Sequence, residues 1–274
     1  MKPLLILILS LSLSIAAFGQ QYPDSGFTNK AEAKNLMVNG KKEGKWYEYL
    51  NPHYSYGSGG RYEDVGWFIP TTDSNANYYR LTIYKDGKPY GIVRVCYQPV
   101  GVYEEIPYSN GKINGVMKVF DPNLKLWQEV PYIDSIENGI LKEYYLDKKP
   151  QLFVEVPYTN GKINGVWKKF YRGGQIEVED PYTNGIENGL YKEYYKSGEI
   201  KIEVQYTEGK RNGIRKWYYK TGVLQREEPF VDDKITGAVK EYRKNGKLSS
   251  ETTYANGVKG TIKNYDRKGN EIKQ

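Results

Sequence analysis

The sequence predicts an all-β fold, an elongated single-layer antiparallel meander built from β-hairpin repeats. Three observations predict it: a glycine that recurs about every 24 residues, fixed columns of residue types after that glycine, and a pairing arithmetic that agrees between columns. Because side chains on a strand alternate between two faces, an even period keeps each column on the same face in every repeat.

The recurring glycine marks each repeat and ends a motif of the form G-x-x-N-G or a close relative of it. The intervals between successive markers are 24, 24, 26, 24, 24, 24 and 23 residues. Periods of this length indicate a repeat array in which each unit is stabilised by its neighbours. The markers are Gly91, Gly115, Gly139, Gly165, Gly189, Gly213, Gly237 and Gly260.

Fixed columns follow each marker. Three residues after it stands a basic residue, namely Arg94, Lys118, Lys142, Lys168, Lys192, Lys216, Lys240 and Lys263. Five residues after it stands an aromatic residue, except at Cys96: Phe120, Tyr144, Phe170, Tyr194, Tyr218, Tyr242 and Tyr265. A glutamate follows in each full repeat: Glu105, Glu129, Glu155, Glu179, Glu203, Glu227 and Glu251.

Glycine-containing dipeptides between runs of Tyr, Val and Ile predict two-residue hairpin turns. In a hairpin, paired positions sum to the same number as the two turn residues. Lys192 and Glu203 sum to 395, as do Ser197 and Gly198. The basic and acidic columns should therefore face each other across every hairpin, and in the 26-residue repeat two extra loop residues leave this register unchanged.

A second turn, in the Y-x-N-G segments, should join each hairpin to the next strand. With Asn184 and Gly185 as its central residues, the pairing predicts that Glu179 lies opposite Leu190 and diagonal to Lys192. Each glutamate would then lie between two cations. A pair of this kind contributes roughly 0.2–1 kcal/mol, so stability must come mainly from the stacking of repeats.

Three segments are predicted along the chain. Residues 1–19 read as a secretory signal peptide, with Lys2 before an apolar run and small residues before the cut. Residues 20–85 should form an N-terminal cap containing one repeat, "VNGKKEGKWYEYL", and an irregular insertion over 51–85. Residues 86–274 should form the repeat array. The protein is therefore expected to be exported, and to be periplasmic, associated with the cell envelope or secreted.

Composition restricts the possible chemistry. Cys96 is the only cysteine and His53 the only histidine, which excludes an internal disulfide and a multi-histidine metal site. The formal charge is +7, with 40 basic and 33 acidic residues interleaved, so nucleic-acid binding is not expected. A glutamate that recurs in every repeat beside a lysine indicates ion pairs rather than one catalytic pair. No catalytic residue, cofactor or metal is predicted.

The pattern Y-x-x-G-K-x-N-G-x-x-K-x-Y-Y-x-x-G resembles the MORN repeat, and most closely its variant in bacterial proteins of the YwqK antitoxin family. The resemblance covers residues 86–274 and extends to residues 38–50. It implies a scaffold for protein–protein contact, which in some MORN proteins binds lipid head groups. The antitoxin family implies neutralisation of a toxin partner by direct contact.

Rows of aromatic and basic side chains are the candidate partner-binding residues, although the aromatic residues would also fill the faces of a thin sheet. We expect an exported, non-enzymatic scaffold that binds a protein through its rigid sheet. Antitoxin or immunity activity and the binding of envelope lipid or glycan are the alternatives. The candidate residues are Tyr144, Phe170, Tyr194, Tyr218 and Tyr242 in one row, and Lys168, Lys192 and Lys216 in the other.

Overall fold

The computed structural model describes residues 26–53 and 67–272 of the 274-residue chain. Apart from a short 3-10 helix, Lys30–Glu32, the regular structure in this part is β-strand, joined into one open antiparallel sheet. The predicted all-β meander is confirmed. The predicted signal peptide, residues 1–19, lies outside the described residues. Within them, no helix has the length and apolar character needed to span a membrane.

The N-terminal part of the sheet is more regular than the sequence predicts. Its strands are β1 (Leu36–Val38), β2 (Lys41–His53), β3 (Trp67–Thr71), β4 (Tyr78–Lys85) and β5 (Lys88–Tyr97). Strand β2 pairs with β1, β3 and β4, and β4 pairs with β5. Much of the described part of 51–85, predicted as an irregular insertion, is therefore strand. The aromatic and β-branched run "YYRLTIYK" of β4 carried the signal for this.

The array continues the meander with pairs of long strands, and a two-residue strand separates each pair from the next as far as β22. These are β6 (Gly101–Ser109), β7 (Lys112–Ile113), β8 (Gly115–Phe120), β9 (Leu126–Ile133), β10 (Ile136–Glu137), β11 (Gly139–Tyr145), β12 (Gln151–Thr159), β13 (Lys162–Ile163), β14 (Gly165–Phe170), β15 (Ile176–Thr183), β16 (Ile186–Glu187), β17 (Gly189–Tyr194), β18 (Ile200–Thr207), β19 (Lys210–Arg211), β20 (Gly213–Tyr218), β21 (Leu224–Val231), β22 (Lys234–Ile235), β23 (Gly237–Tyr242), β24 (Leu248–Ala255), β25 (Val258–Tyr265) and β26 (Glu271–Ile272).

The hairpin register is as predicted, but the turns are not. Lys192 lies opposite Glu203, and the 26-residue repeat keeps its equivalent pair in register. Instead of a two-residue turn, the loop is closed by a 2.8 Å hydrogen bond from the Gly198 N–H to the Tyr195 carbonyl. A bulge between Glu193 and Tyr194 shifts the register by one residue, which compensates for the odd length of this glycine-ended loop.

The second turn forms at Asn184 and Gly185, whose positive φ angles of 52° and 86° identify a type I′ turn. The pairing beyond it corrects the prediction, because Glu179 lies directly opposite Lys192 and not opposite Leu190. The register between β15 and β17 thus shifts by two residues, and this happens where Asn188 donates its N–H to the Pro181 carbonyl at 2.8 Å. Proline has no N–H to return to the ladder, so regular pairing lapses there.

Each type I′ turn also bonds to the two-residue strand of the preceding repeat, along one edge of the sheet. The Gly185 N–H donates to the Ile163 carbonyl of the preceding repeat at 2.7 Å. Gly209 donates in the same way to the Glu187 carbonyl at 2.8 Å. Each turn is therefore held by the repeat before it, which aligns the repeats as well as closing the hairpin.

Side-chain alternation gives the sheet two unlike faces. We call the face that carries Val154, Val178 and Val204 the inner face, because these side chains are buried although the array is a single layer. At the N-terminal end, inner-face residues including Val93 and Val130 line a groove of about 680 Å³. The sheet therefore curls around its inner face.

The opposite, outer face is covered at its N-terminal end. Phe27 packs there against Leu81 and Cys96, and all three are buried. Cys96, which stands where other repeats have an aromatic residue, is thus a core residue. A guanidinium nitrogen of buried Arg94 donates to the Phe27 carbonyl at 3.3 Å, and its Nε lies 3.1 Å from Glu105. The segment around Phe27 therefore covers the first position of the basic column.

Candidate partner-binding face

The outer face brings together all eight predicted partner-binding residues. Lys168 and Phe170 are two residues apart on β14 and so point to the same side, and the same relation recurs on β17 and β20. The aromatic row and the lysine row therefore run side by side across the strands. All eight side chains are half-buried.

The tyrosine hydroxyls of the aromatic row are bound to the glutamate column. Tyr194 donates to Oε2 of Glu179 at 2.7 Å, and Tyr218 donates to Oε1 of Glu203 at 2.8 Å. Burial, together with the adjacent carboxylate of Glu179, raises the pKa of Tyr194 to about 12, so the phenol remains a donor at neutral pH. The rings, and not the hydroxyls, are what this row offers to a partner.

The basic and acidic columns are in register, yet few of their members form close ion pairs. Lys216 Nζ lies 3.3 Å from Oε1 of Glu203. Among the described residues, Lys168 and Lys192 have no carboxylate oxygen within 4.0 Å. The continuous ladder of ion pairs expected from the sequence is thus present as a register but only partly as contacts. The unengaged ammonium groups can interact with a partner.

Sequence reasoning missed a further row on this face. The residue after each marker glycine is aliphatic and between 40% and 50% exposed in five successive repeats: Val116, Ile140, Val166, Leu190 and Ile214. Opposite these stand Pro131, Pro157, Pro181, Gln205 and Pro229. We call these ten residues the aliphatic–proline row. At about 4.8 Å per strand it extends roughly 43 Å across ten strands.

A column of hydroxyl-to-backbone bonds was also missed. It uses the second aromatic residue of each doublet, so that Tyr195 donates to the Tyr218 carbonyl of the next repeat at 2.7 Å. Tyr145, Tyr171 and Tyr219 make the equivalent bonds at 2.7 to 2.8 Å. Both missed features were present in the sequence as columns with the 24-residue period. Their exposure and their hydrogen-bond partners are evident only in the folded structure.

The outer face has no cluster of metal-ligating side chains in the part of the chain that the structure describes. No group of three or more His, Cys, Asp or Glu side chains is placed to hold a metal ion there. Four of its glutamates accept a hydrogen bond from a phenol in equivalent surroundings, namely Glu129, Glu179, Glu203 and Glu227. What the face offers is extended: two apolar rows about 13 Å apart, separated by the row of lysines and glutamates.

The repeats are similar to a known family. The family model described as "MORN repeat variant" matches residues 163–184, 187–208, 211–232 and 235–256. Each matched segment begins in or beside a two-residue strand, includes one hairpin, and ends within the following type I′ turn. A comparison of the chain with curated proteins gives no match.

Proposed function

We propose that this chain is an exported, non-enzymatic repeat scaffold that binds a protein partner through the outer face of its sheet. The aliphatic–proline row carries the proposal. Exposed apolar side chains that form a contiguous patch mark interaction sites on soluble proteins. Here Val166 and Ile214 are 40% and 48% exposed, and an equivalent aliphatic residue recurs in each of five repeats.

The dimensions of this face suit a protein interface. A strip about 43 Å long and about 20 Å wide covers roughly 850 Å², close to the 800 Å² that one partner contributes to an interface of standard size. Its apolar rows, with charged groups between and beside them, have the mixed character of such interfaces. Because the rows are fixed by backbone pairing, little side-chain or loop ordering opposes binding.

The test is the loss of one defined partner on charge insertion into the aliphatic–proline row. The variant carries Val166→Glu and Ile214→Glu, and a matched control carries Ser197→Glu and Thr221→Glu in exposed hairpin loops. Any protein captured from the cell envelope is purified and its Kd is measured against all three chains. We expect binding at least tenfold weaker for the row variant and unchanged for the control. Equal affinity for both variants would refute the outer-face interface.

Antitoxin or immunity activity is a narrower form of the same contact and rests on the family resemblance. It predicts that co-expression of this chain relieves the toxicity of a toxin encoded beside it. The Val166→Glu/Ile214→Glu variant should fail to protect cells, whereas the loop control should protect them. Toxicity that persists with the unaltered chain would eliminate this activity for the toxin tested.

Binding to envelope lipid or glycan is the alternative that exposed lysines on the type I′ turns favour. Lys162, Lys210 and Lys234 extend from the turns next to the aliphatic–proline row. This alternative predicts sedimentation with anionic vesicles that decreases steeply as salt is raised. Absence of sedimentation at low salt would argue against the lipid form.

Export can be tested separately from partner binding. The proposal predicts that the mature protein recovered from cells outside the cytoplasm begins at Gln20, which N-terminal sequencing determines directly. An intact N-terminus on a protein confined to the cytoplasm would contradict it.

A further inference from the structure

Two repeats carry a buried carboxylate at the same inner-face position. Asp180 on β15 and Glu228 on β21 are 48 residues apart, which is two repeat lengths. Asp180 is 7% exposed and Glu228 is 3% exposed. Four other repeats place an apolar residue in this column, namely Ile106, Val130, Val156 and Val204, and the last repeat places Thr252 there. A buried carboxylate is costly unless it is paired, so the two sites can be compared for how each is neutralised.

Glu228 is neutralised by the chain itself. Arg215 lies directly opposite it on β20, with Nε 3.0 Å from Oε2. Arg226, two residues earlier on the same strand, pairs with the other carboxylate oxygen. The Arg215 guanidinium also lies 5.0 Å from the ring centroid of Phe230. The carboxylate is thus enclosed by two guanidinium groups, one of which contacts an aromatic ring.

Asp180 has neighbours at the same two positions, but neither of them is an arginine. Trp167 stands opposite it where Arg215 stands opposite Glu228, and Val178 occupies the position of Arg226. Among the described residues, no ion pair involves Asp180, and its Oδ1 is buried without a hydrogen-bond partner. Burial, reinforced by the charge of Glu187, raises the pKa of Asp180 to about 6.

The surroundings of Asp180 are negatively charged and aromatic. Tyr182, the counterpart of Phe230, lies within hydrogen-bonding reach of both Asp180 and Glu187, and burial and these two carboxylates raise its pKa. The rings of Tyr191 and Tyr206 lie close by, with centroids 6.4 Å apart. Burial, then the charges of Glu193 and Asp180, raise the pKa of Tyr191 to about 12. Carboxylates framed by aromatic rings attract cations.

We propose that the inner face at Asp180 is a binding site for a guanidinium group supplied by another molecule. This group takes the place that Arg215 and Arg226 occupy beside Glu228. Its planar N–H donors bind the Asp180 carboxylate, and its face lies against Tyr182. Because Oδ1 is shielded from solvent, the incoming group displaces a covering side chain to reach it. The site lies on the face opposite the aliphatic–proline row, so it stands or fails independently of the proposed partner interface.

The test uses N-acetyl-L-arginine methylamide as the probe and its neutral citrulline counterpart, which has nearly the same shape, as the control. NMR spectra of the mature protein report the indole N–H of Trp167 and the rings of Tyr182, Tyr191 and Tyr206. We expect the arginine probe to shift these signals saturably and the citrulline probe to leave them unchanged. Equal shifts from both probes would overturn the proposal. Equal binding of the corresponding lysine derivative would overturn the assignment to guanidinium.

Three variants locate the site. Asp180→Asn should weaken the arginine probe at least tenfold, whereas Glu179→Gln, one residue away on the opposite face, should leave its Kd unchanged. Trp167→Arg recreates the pair formed by Arg215 and Glu228, so it should abolish probe binding in a folded protein. Probe binding retained by Asp180→Asn, or by Trp167→Arg, would contradict the assignment.

A further readout does not depend on a variant. The pKa of Asp180 in the unaltered protein, followed by its carboxyl carbon signal, should fall when the arginine probe is saturating, because the probe favours the ionised form. A pKa unchanged at saturation would mean that the probe binds elsewhere, which would refute the site.

Discussion

The hydroxyl of Tyr194 donates a 2.7 Å hydrogen bond to Oε2 of Glu179, and this bond links the hairpins of two successive repeats. The same bond recurs between Tyr218 and Glu203. Glu179 also lies opposite Lys168 on one side and opposite Lys192 on the other. Glu179 is therefore flanked by a lysine on each neighbouring strand, while its hydrogen bond comes from the phenol of Tyr194.

Removal of one such phenol should weaken the junction between repeats. Tyr194→Phe deletes the donor and leaves the Glu179 carboxylate half-buried without it, which should lower the free energy of unfolding by about 1 kcal/mol. Urea unfolding followed by circular dichroism measures the change. Phe170→Tyr is the reciprocal variant, because it adds a phenol whose sequence relation to Glu155 is that of Tyr194 to Glu179, and it should not destabilise. Equal stability of Tyr194→Phe and the unaltered protein would show that the bond contributes nothing.

Charge reversal should distinguish the contacting ion pair from one that is only in register. A double-mutant cycle with Lys216→Glu and Glu203→Lys should give a coupling of about 0.5 kcal/mol, because the pair is close but partly exposed. The same cycle on Lys192 and Glu203, which face each other without close contact, should give less.

The double reversal should not restore full stability. A lysine at position 203 would still face Lys192 on the neighbouring strand, since Glu203 lies between two lysines. A double variant as stable as the unaltered protein would mean that the second facing lysine has no effect. Urea unfolding of the four proteins in each cycle provides the comparison.

Marker glycines should differ in how strongly they resist alanine. Gly189 has φ of 136°, and a Cβ there would lie 2.6 Å from Cγ of Pro181. Gly213 has φ of 111°, but its nearest neighbour would be Gln205 Cβ at 3.5 Å. Gly213→Ala should therefore cost about 1 kcal/mol from backbone strain alone, and Gly189→Ala about 2 kcal/mol or more because of the added overlap.

The cause of that difference can be checked by a second substitution. Pro181→Gln makes the Gly189 junction resemble the Gly213 junction, so it should recover part of the loss caused by Gly189→Ala. Thermal and urea unfolding of both single alanine variants and the double variant decide the matter. Equal losses at Gly189 and Gly213 would mean that Pro181 is not the obstacle.

Asp180 should make stability depend on pH. Its pKa is about 6 in the folded protein, above the ordinary value near 4, because of burial and the charge of Glu187. Between pH 4 and 6 the folded state therefore binds more protons than the unfolded state, and stability falls as pH rises through this window. The loss reaches up to about 3 kcal/mol above pH 6.

Asp180→Asn removes this titration and should flatten the profile. The groups facing Asp180 are Glu187 and the phenols of Tyr182, Tyr191 and Tyr206, and the phenols do not titrate in this window. The variant should be the more stable protein at pH 7 and should lose that advantage near pH 4. Parallel profiles for the two proteins in urea unfolding would refute the effect.

The fold could be predicted from the sequence because every column of residue types repeats with the same period. The pairing of Lys168 with Glu179 followed from arithmetic alone, and a bulge in each hairpin left it undisturbed. The same arithmetic was wrong beyond the type I′ turn, because the register shifts by two residues where Asn188 bonds to Pro181. The shift depends on the missing N–H of Pro181 and on the positive φ of Gly189, and neither of these changes the hydrophobic pattern of the sequence.

The candidate site was predicted less completely. The aromatic and lysine rows were recognised because their residue types stand out, and the structure places them on one face. The aliphatic–proline row was overlooked because Val166 and its counterparts look like core residues in a sequence. Only the curl of the sheet shows which face is buried. Asp180 was overlooked for the opposite reason, since a single carboxylate among many charged residues carries no signal until its burial is known.

The amide of Gly185, bonded to the carbonyl of Ile163, gives the array a fixed increment of length. A block of 24 residues inserted or excised between equivalent turns would leave every such bond with a partner of the same kind. The molecule would then lengthen or shorten by two strand spacings, about 10 Å, without any other rearrangement. Duplication or loss of whole repeats would thus change the length of the sheet in discrete steps.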